Sequence, residues 1–309
     1  MKKFNRIFGT AAAVAALLFA QALLSCSSAS DSPSVVATPQ QAQTQNNAKS
    51  TPVTLETPLT LEACVAGAVV TFTNKATGPV TYKVNDGEAQ TIASGATGTI
   101  TLAKVGDKVE FWGDNSSYAT SASDYSNIAC DKDCYVYGNI MSLVQSEGFK
   151  DATELKQSYT FSSLFKSNAH IKNKSGAPLL LPAVTLAFTC YYSMFADCKS
   201  LTAAPSLPAT TLANICYYSM FYDCTSLASA PELPAATLAN ICYASMFRGC
   251  TKLSSVTCLA TDISASDCTK NWLYGVAASG TFTKAAGMTG WPTGSASGIP
   301  SGWTVVDKQ

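Results

Sequence analysis

Cysteine and histidine are the side chains best suited to nucleophilic or metal chemistry, and in this chain their spacing argues against both. The 309 residues hold 12 cysteines and one histidine, His170. Seven cysteines recur every 26 residues in two series: Cys190, Cys216, Cys242 and Cys268, and Cys198, Cys224 and Cys250. Neither series has C-x-x-C spacing or partner histidines, so neither reads as a metal site. An exported chain admits disulfides, but equivalent side chains of a repeat point in parallel, which opposes disulfide geometry. Both series share the period of the core positions, and we read them as small buried thiols. The spacing of Cys130 and Cys134 fits a local disulfide and fits two free thiols. The chain has no Gly-rich phosphate loop, no zinc signature, no G-x-S-x-G elbow and no histidine partner for a nucleophile. The expectation is a protein that is not an enzyme and carries no metal or cofactor.

Cys26 belongs to a different pattern. Lys2, Lys3 and Arg6 precede an apolar stretch from about Phe8 to Leu24, and Leu23-Leu24-Ser25-Cys26 follows the form of a bacterial lipobox. Residues 1–25 then read as a lipoprotein signal peptide, with Cys26 lipidated and first in the mature chain. Acyl chains insert at about 0.8 kcal/mol per CH₂, so the expected membrane partner is engaged through the N-terminal lipid. The lipobox implies membrane attachment, with membrane and leaflet set by sorting signals after Cys26; the expected localisation is exported, anchored to the outer membrane, at the cell surface. Residues 26–57 are rich in Ser, Thr, Pro, Gln, Asn and Ala and read as a disordered tether. Removal of the signal leaves 17 basic against 20 acidic residues, which gives no electrostatic reason to expect nucleic acid.

The folded part must begin near residue 58. Val69–Phe72, Val80–Val84, Thr99–Leu102 and Val109–Trp112 are short β-branched and aromatic runs separated by turn residues, Asn85-Asp86-Gly87 above all. Residues 58–128 therefore read as a small all-β sandwich of roughly six strands, with Asp114–Asp131 as loop.

The rest of the chain, residues 129–309, carries one sentence three times: LPAVTLAFTCYYSMFADCKSL from Leu181, LPATTLANICYYSMFYDCTSL from Leu207 and LPAATLANICYASMFRGCTKL from Leu233. A worn copy stands on each side, around Phe165–Ile171 and around Leu259–Leu273. A fixed period in this range means a solenoid with atypical terminal caps. Leu212, Cys216 and Met220, with Tyr217 and Phe221, are spaced by four, which reads as a helical stripe. Leu227–Pro231 reads as a strand that ends at the proline. Ala152–Phe165 reads as the first helix of the cap. The expected fold is an α/β leucine-rich-repeat solenoid with a 26-residue period, preceded by the small β-sandwich.

Periodic aromatics mostly serve such a core, so Tyr191, Tyr217 and Tyr243 are expected inside. Tyr192, Tyr218 and Tyr222 are expected partly exposed. The small residues Thr202, Ala203, Ala228, Ser229, Ser254 and Ser255 should form a shallow strand face that suits a flat protein ligand better than a small molecule. Those six, with Tyr218 and Tyr222, are the candidate ligand-binding residues. A glycan held on the tyrosines or the β-domain is the alternative ligand.

The repeat LPATTLANICYYSMFYDCTSL, the upstream YGNIMSL and SLFKSNAHIKNKSGAPLLLPA, and the C-terminal GTFTKAAG and GIPSGWTVV resemble the BspA-like leucine-rich-repeat surface proteins of host-associated bacteria. The resemblance covers about Cys134 to Lys308. It implies a surface-exposed solenoid and, for some members, adhesion to host matrix proteins or between cells. This chain has few full rungs, so its ligand surface would be small.

Overall fold

The computed structural model describes residues 53–309. The expected signal peptide, the lipidation site Cys26 and tether residues 26–52 lie outside the described residues. The first six strands follow the β-branched runs: β1 (Leu59–Ala63), β2 (Ala68–Thr73), β3 (Val80–Val84), β4 (Gln90–Ile92), β5 (Thr97–Leu102) and β6 (Lys108–Gly113). Then come β7 (Asn127–Cys130), inside the stretch expected as loop, and β8 (Cys134–Asn139). Alternation does the sorting: in β2, Ala68, Val70 and Phe72 point inward while Val69, Thr71 and Thr73 are half-buried. Strands β5, β2 and β7 form one antiparallel sheet, and β1, β6, β3 and β4 belong to another. The sheets meet through Phe72 and Phe111, whose ring centroids lie 5.3 Å apart.

Strand β8 is where the architecture changes. It pairs antiparallel with β1 on one side and parallel with β9 (Ile171–Asn173) and β10 (Leu179–Leu180) on the other. The larger sheet therefore runs unbroken from the N-terminal strands into the repeats. Residues 53–57 are seated against the same strand, since Asn139 Nδ2 donates to Leu55 O and the Asn139 N–H donates to Thr57 O.

The repeats form a β-solenoid of about three turns. Among the described residues there is no α-helix, only two short 3₁₀ turns at Ile140–Leu143 and Phe149–Asp151. This corrects the expected α/β leucine-rich-repeat fold, and Ala152–Phe165 with it. The segment read as a helix is a ribbon of consecutive turns. In one rung the N–H groups of Cys190, Tyr192, Met194, Ala196 and Cys198 each donate to the carbonyl three residues back. The alternate N–H groups of Thr189, Tyr191, Ser193, Phe195 and Asp197 donate to carbonyls of the next rung, from Asn214 to Tyr222. Every fourth residue is left-handed: Thr189 (φ 55), Ser193 (φ 48) and Asp197 (φ 63), then Ile215, Ser219 and Asp223 one rung on. A positive φ at the third turn position is the mark of a type II turn. It is costly for β-branched Thr and Ile, and the inter-rung hydrogen bonds hold it in place.

A period of four puts Cys190-Tyr191 and Met194-Phe195 inside, while Tyr192 and Asp197 are half-buried and the small Ser193 and Ala196 are covered. Over two or three repeats of the motif, that pattern has the same sequence signature as a helical stripe. The interior is correspondingly columnar. Phe165, Phe195, Phe221 and Phe247 stack at 5.5–5.6 Å with planes within 4°. A second column runs Tyr118, Phe161, Tyr191, Tyr217, Tyr243, Trp272, Trp291, with neighbouring centroids 5.4–6.4 Å apart. Tyr118 lies in the stretch expected as loop, so one aromatic core spans the N-terminal part and the solenoid. The Tyr191 hydroxyl in this column has no hydrogen-bond partner. Tyr191→Phe removes an unpaired buried polar group and is expected to raise stability by about 1 kcal/mol. A denaturation midpoint that falls instead would show that the hydroxyl is bonded.

The other side of the rungs is parallel sheet: β11 (Ser229–Leu233), β12 (Ser255–Cys258), β13 (Gly280–Lys284) and β14 (Trp303–Asp307), paired in that order. Pro231 does not end its strand. β11 runs through it, and the register shifts between Ser229 and Glu232, so the residue without an N–H sits where the ladder is interrupted. Before the first full repeat, four extra residues are absorbed by a tight turn at Lys174–Ala177.

Candidate functional site

The candidate residues fall on two separate stretches of each rung. Thr202, Ala203, Ala228, Ser229, Ser254 and Ser255 are all exposed on the strand side. Ala203, Ser229, Ser255, Thr281 and Thr304 form one line across the parallel register. At its start the polar groups are already engaged. Asn173 Oδ1 accepts from the Thr202 and Ala203 N–H groups and from Thr202 Oγ1 at 2.9–3.0 Å, and Asn173 Nδ2 donates to Ala203 O. The face is flat and made of small side chains, with little to grip a ligand.

Tyr218 and Tyr222 lie on the turn ribbon, where the ladder positions carry larger groups. The Tyr218 ring stacks on Tyr192 at 5.1 Å and 4°. The next outward position, counted at the repeat period, holds Ala196, Tyr222, Arg248 and Tyr274 in successive rungs. There the Arg248 guanidinium lies 5.7 Å from the Tyr222 ring and 5.3 Å from the Tyr274 ring, held between them. Tyr274 is 56% exposed, and Phe188, in the first full rung and edge-on to Tyr159, is 43% exposed. Cation–π contacts of this kind contribute about 0.5–1 kcal/mol each at exposed sites. Their larger effect is to hold long side chains still before any partner arrives. Arg248, Tyr274 and Phe188 were not among the sequence candidates. Arg248 and Tyr274 were open to discovery by writing the repeats in register at the Tyr222 position, where they replace one another.

The conspicuous repeat residues are interior. The cysteines of both series are buried and unpaired, and the second series is tied to the backbone. Cys198, Cys224 and Cys250 donate S–H bonds to the carbonyls of Phe165, Phe195 and Phe221, one rung earlier, at 3.0–3.1 Å. Burial pushes the Cys190, Cys242, Cys250 and Cys258 thiols up to about 12, so they remain protonated and poorly nucleophilic at neutral pH. Among the described residues no group of three or more His, Cys, Asp or Glu side chains could hold a metal ion.

A cleft of about 520 Å³ beside β8 was also invisible to sequence reading. Glu62, Lys108, Glu110, Tyr137 and Lys174 line it. Its three carboxylates, Glu56 included, have the type needed for acid–base chemistry, but each is engaged by its own lysine. Lys174 pairs with Glu62, Lys108 with Glu110 at 2.8 Å and Lys150 with Glu56 at 2.9 Å. The Tyr137 hydroxyl also donates to Glu62 at 2.8 Å, and burial with that carboxylate beside it raises the phenol above its usual range. Lys174 Nζ lies 4.9 Å from the Tyr137 ring centroid. The arrangement fastens the four-residue insertion to the sheet.

No protein-family profile, no curated protein and no solved structure matches this chain. The geometry on its own defines the class: a β-solenoid with a filled columnar core and a pre-ordered tyrosine–arginine surface on its turn ribbon.

Proposed function

We propose that this chain is a non-enzymatic, lipid-anchored bacterial surface protein whose solenoid binds a protein ligand, in adhesion to a host matrix or to a neighbouring cell. The observation that carries the reading is the Tyr222–Arg248–Tyr274 column, with the Tyr192–Tyr218 stack on the same ribbon. Tyrosine and arginine are the residues that most often dominate protein–protein binding energy, and side chains already ordered by stacking lose little entropy on binding. The lipobox at Cys26 and the polar tether support display outside an outer membrane. The resemblance to BspA-like surface proteins supports the same location and role, with the solenoid built from turns and strands.

A glycan is the second reading. Tyr192 and Tyr218 cover one face of each other, which leaves a sugar less open ring surface than two separate tyrosines would, and the arginine held between Tyr222 and Tyr274 favours the protein ligand. Protease shaving of intact cells tests display: the reading expects peptides from residues 53–309 in the supernatant, and their absence from shaved but not lysed cells contradicts it. On a glycan array the full chain should give no signal that Tyr218→Ala abolishes; such a signal would select the glycan reading.

A further inference from the structure

We propose that Cys130 and Cys134 are a redox pair that closes to a disulfide across the turn joining β7 to β8, while the other described cysteines stay reduced. The turn between them, Asp131-Lys132-Asp133, is pinned at every residue. Asp131 exchanges hydrogen bonds with Val69, through its own N–H at 3.1 Å and its carboxylate at 2.6 Å. Lys132 Nζ donates to the Ala66 and Gly67 carbonyls. Asp133 O accepts from the Cys64 N–H at 2.9 Å, and its carboxylate binds Lys172 and His170. The two cysteines that bound this turn are fixed in turn by the sheets, Cys130 opposite Val70 in β2 and Cys134 opposite Ala63 in β1. Both side chains are buried in the same core, at the two ends of a turn with little freedom left to lose.

The hydrogen bonding separates this pair from the second ladder, whose thiols donate to carbonyls. Asn168 Nδ2 donates to Cys130 Sγ at 3.5 Å, and Cys134 stands at the other end of the turn. Asn168 is held for that task, because its Nδ2 also donates to Ile128 O at 3.0 Å and its Oδ1 accepts from the His170 N–H at 3.2 Å. The neighbouring Cys134 thiol and the Asn168 amide hold the Cys130 thiol below its ordinary range, against the burial that raises it. Cys134 is raised by Cys130 beside it and by burial. Cys130 is also the more accessible of the two, at 7% exposure against 0%.

The oxidant is a small-molecule disulfide. The Cys130 thiolate attacks one of its sulfurs, forming a mixed disulfide and expelling one thiolate. Cys134 gives up its proton and attacks the Cys130 sulfur, which expels the second thiolate. Two protein thiols are oxidised and one external disulfide is reduced to two thiols. The inference does not rest on the binding role.

The test is differential alkylation of the reduced, folded full-length chain after exposure to oxidised glutathione at pH 8, read by peptide mass spectrometry. We expect the peptide containing Cys130 and Cys134 to lose two hydrogens, the change to reverse with dithiothreitol, and the ladder cysteines to take up alkylating agent only after denaturation. Cys64 is the nearest competitor, half-buried and close enough for Cys134 to affect its thiol, and Cys64→Ser should leave the yield unchanged. Cys130→Ser should abolish the product. A pair that stays reduced in the folded chain while the denatured chain oxidises overturns the proposal, and so does a disulfide between Cys64 and Cys134.

Discussion

Gly138→Ala is expected to destabilise the protein by about 4 kcal/mol, the sum of roughly 1–3 kcal/mol of backbone strain and 1–3 kcal/mol of overpacking. Gly138 sits in β8 at φ 89, and a Cβ there would lie 1.9 Å from Pro58 O and 2.8 Å from Pro58 C. Both are backbone atoms of the segment that enters β1, so no side chain can swing away. The Gly138 N–H donates to Pro178 O at 3.1 Å, and the residue pairs with Leu179 of β10. The added methyl therefore pushes against the point where antiparallel and parallel sheet share a strand. Gly106→Ala is the control. Its φ is 86, but nothing lies within 4 Å of the new methyl, so only the strain is felt, about 1–3 kcal/mol. Denaturant midpoints for the two variants separate crowding from strain, and equal losses would show that the Gly138 contact relaxes freely.

Trp272→Ala should cost about 4 kcal/mol, and the loss should be local. The indole is fully buried between Tyr243 at 6.4 Å and Trp291 at 5.4 Å, meets Phe282 edge-on, and donates from Nε1 to Gly298 O at 3.2 Å. Truncation opens a cavity and orphans that carbonyl. Each rung of a solenoid is stabilised by its neighbours alone, so the damage should concentrate in residues 259–309. Hydrogen exchange in β13 and β14 should accelerate by about three orders of magnitude, at 1.4 kcal/mol per tenfold change, while amides between Phe161 and Leu201 keep their protection. Uniform acceleration along the chain would show that the solenoid and the N-terminal sheets unfold as one unit.

The repeat residues made their interior role legible and hid its geometry. Leu, Cys, Met, Phe and Tyr at fixed offsets in each copy marked columns, and Tyr191, Tyr217 and Tyr243 are buried. The same spacing of four misled on conformation, because a turn ribbon and a short helix place apolar pairs alike. The discriminating residues were the small polar ones: Ser193, Ser219 and Ser245, with Asp197 and Asp223, recur between the apolar pairs. Ser and Asp favour turns over helix interiors, and in the structure these positions are left-handed. Pro231 misled in the opposite direction, since a proline ends a regular ladder but fits an interrupted one. Tyr118 and β7 were illegible because their partners, Phe161 and β2, are distant in sequence. On the turn face, Tyr218 recurs with Tyr192 at the repeat period, whereas the column Ala196, Tyr222, Arg248, Tyr274 has no chemical pattern, and Arg248 escaped notice.

The binding face is tested most directly on cells that display the full chain, by flow cytometry with labelled matrix proteins and surface proteins of neighbouring cells. Two variants are compared: Tyr222→Ala/Arg248→Ala/Tyr274→Ala on the turn ribbon and Ser229→Lys/Ser255→Lys on the strand face, each at display levels matched to the unaltered chain. The account predicts saturable binding to a protein, reduced at least tenfold by the turn-ribbon variant and unchanged by the strand-face variant. Binding that survives the first and is lost in the second, or no binding to any protein offered, would contradict it.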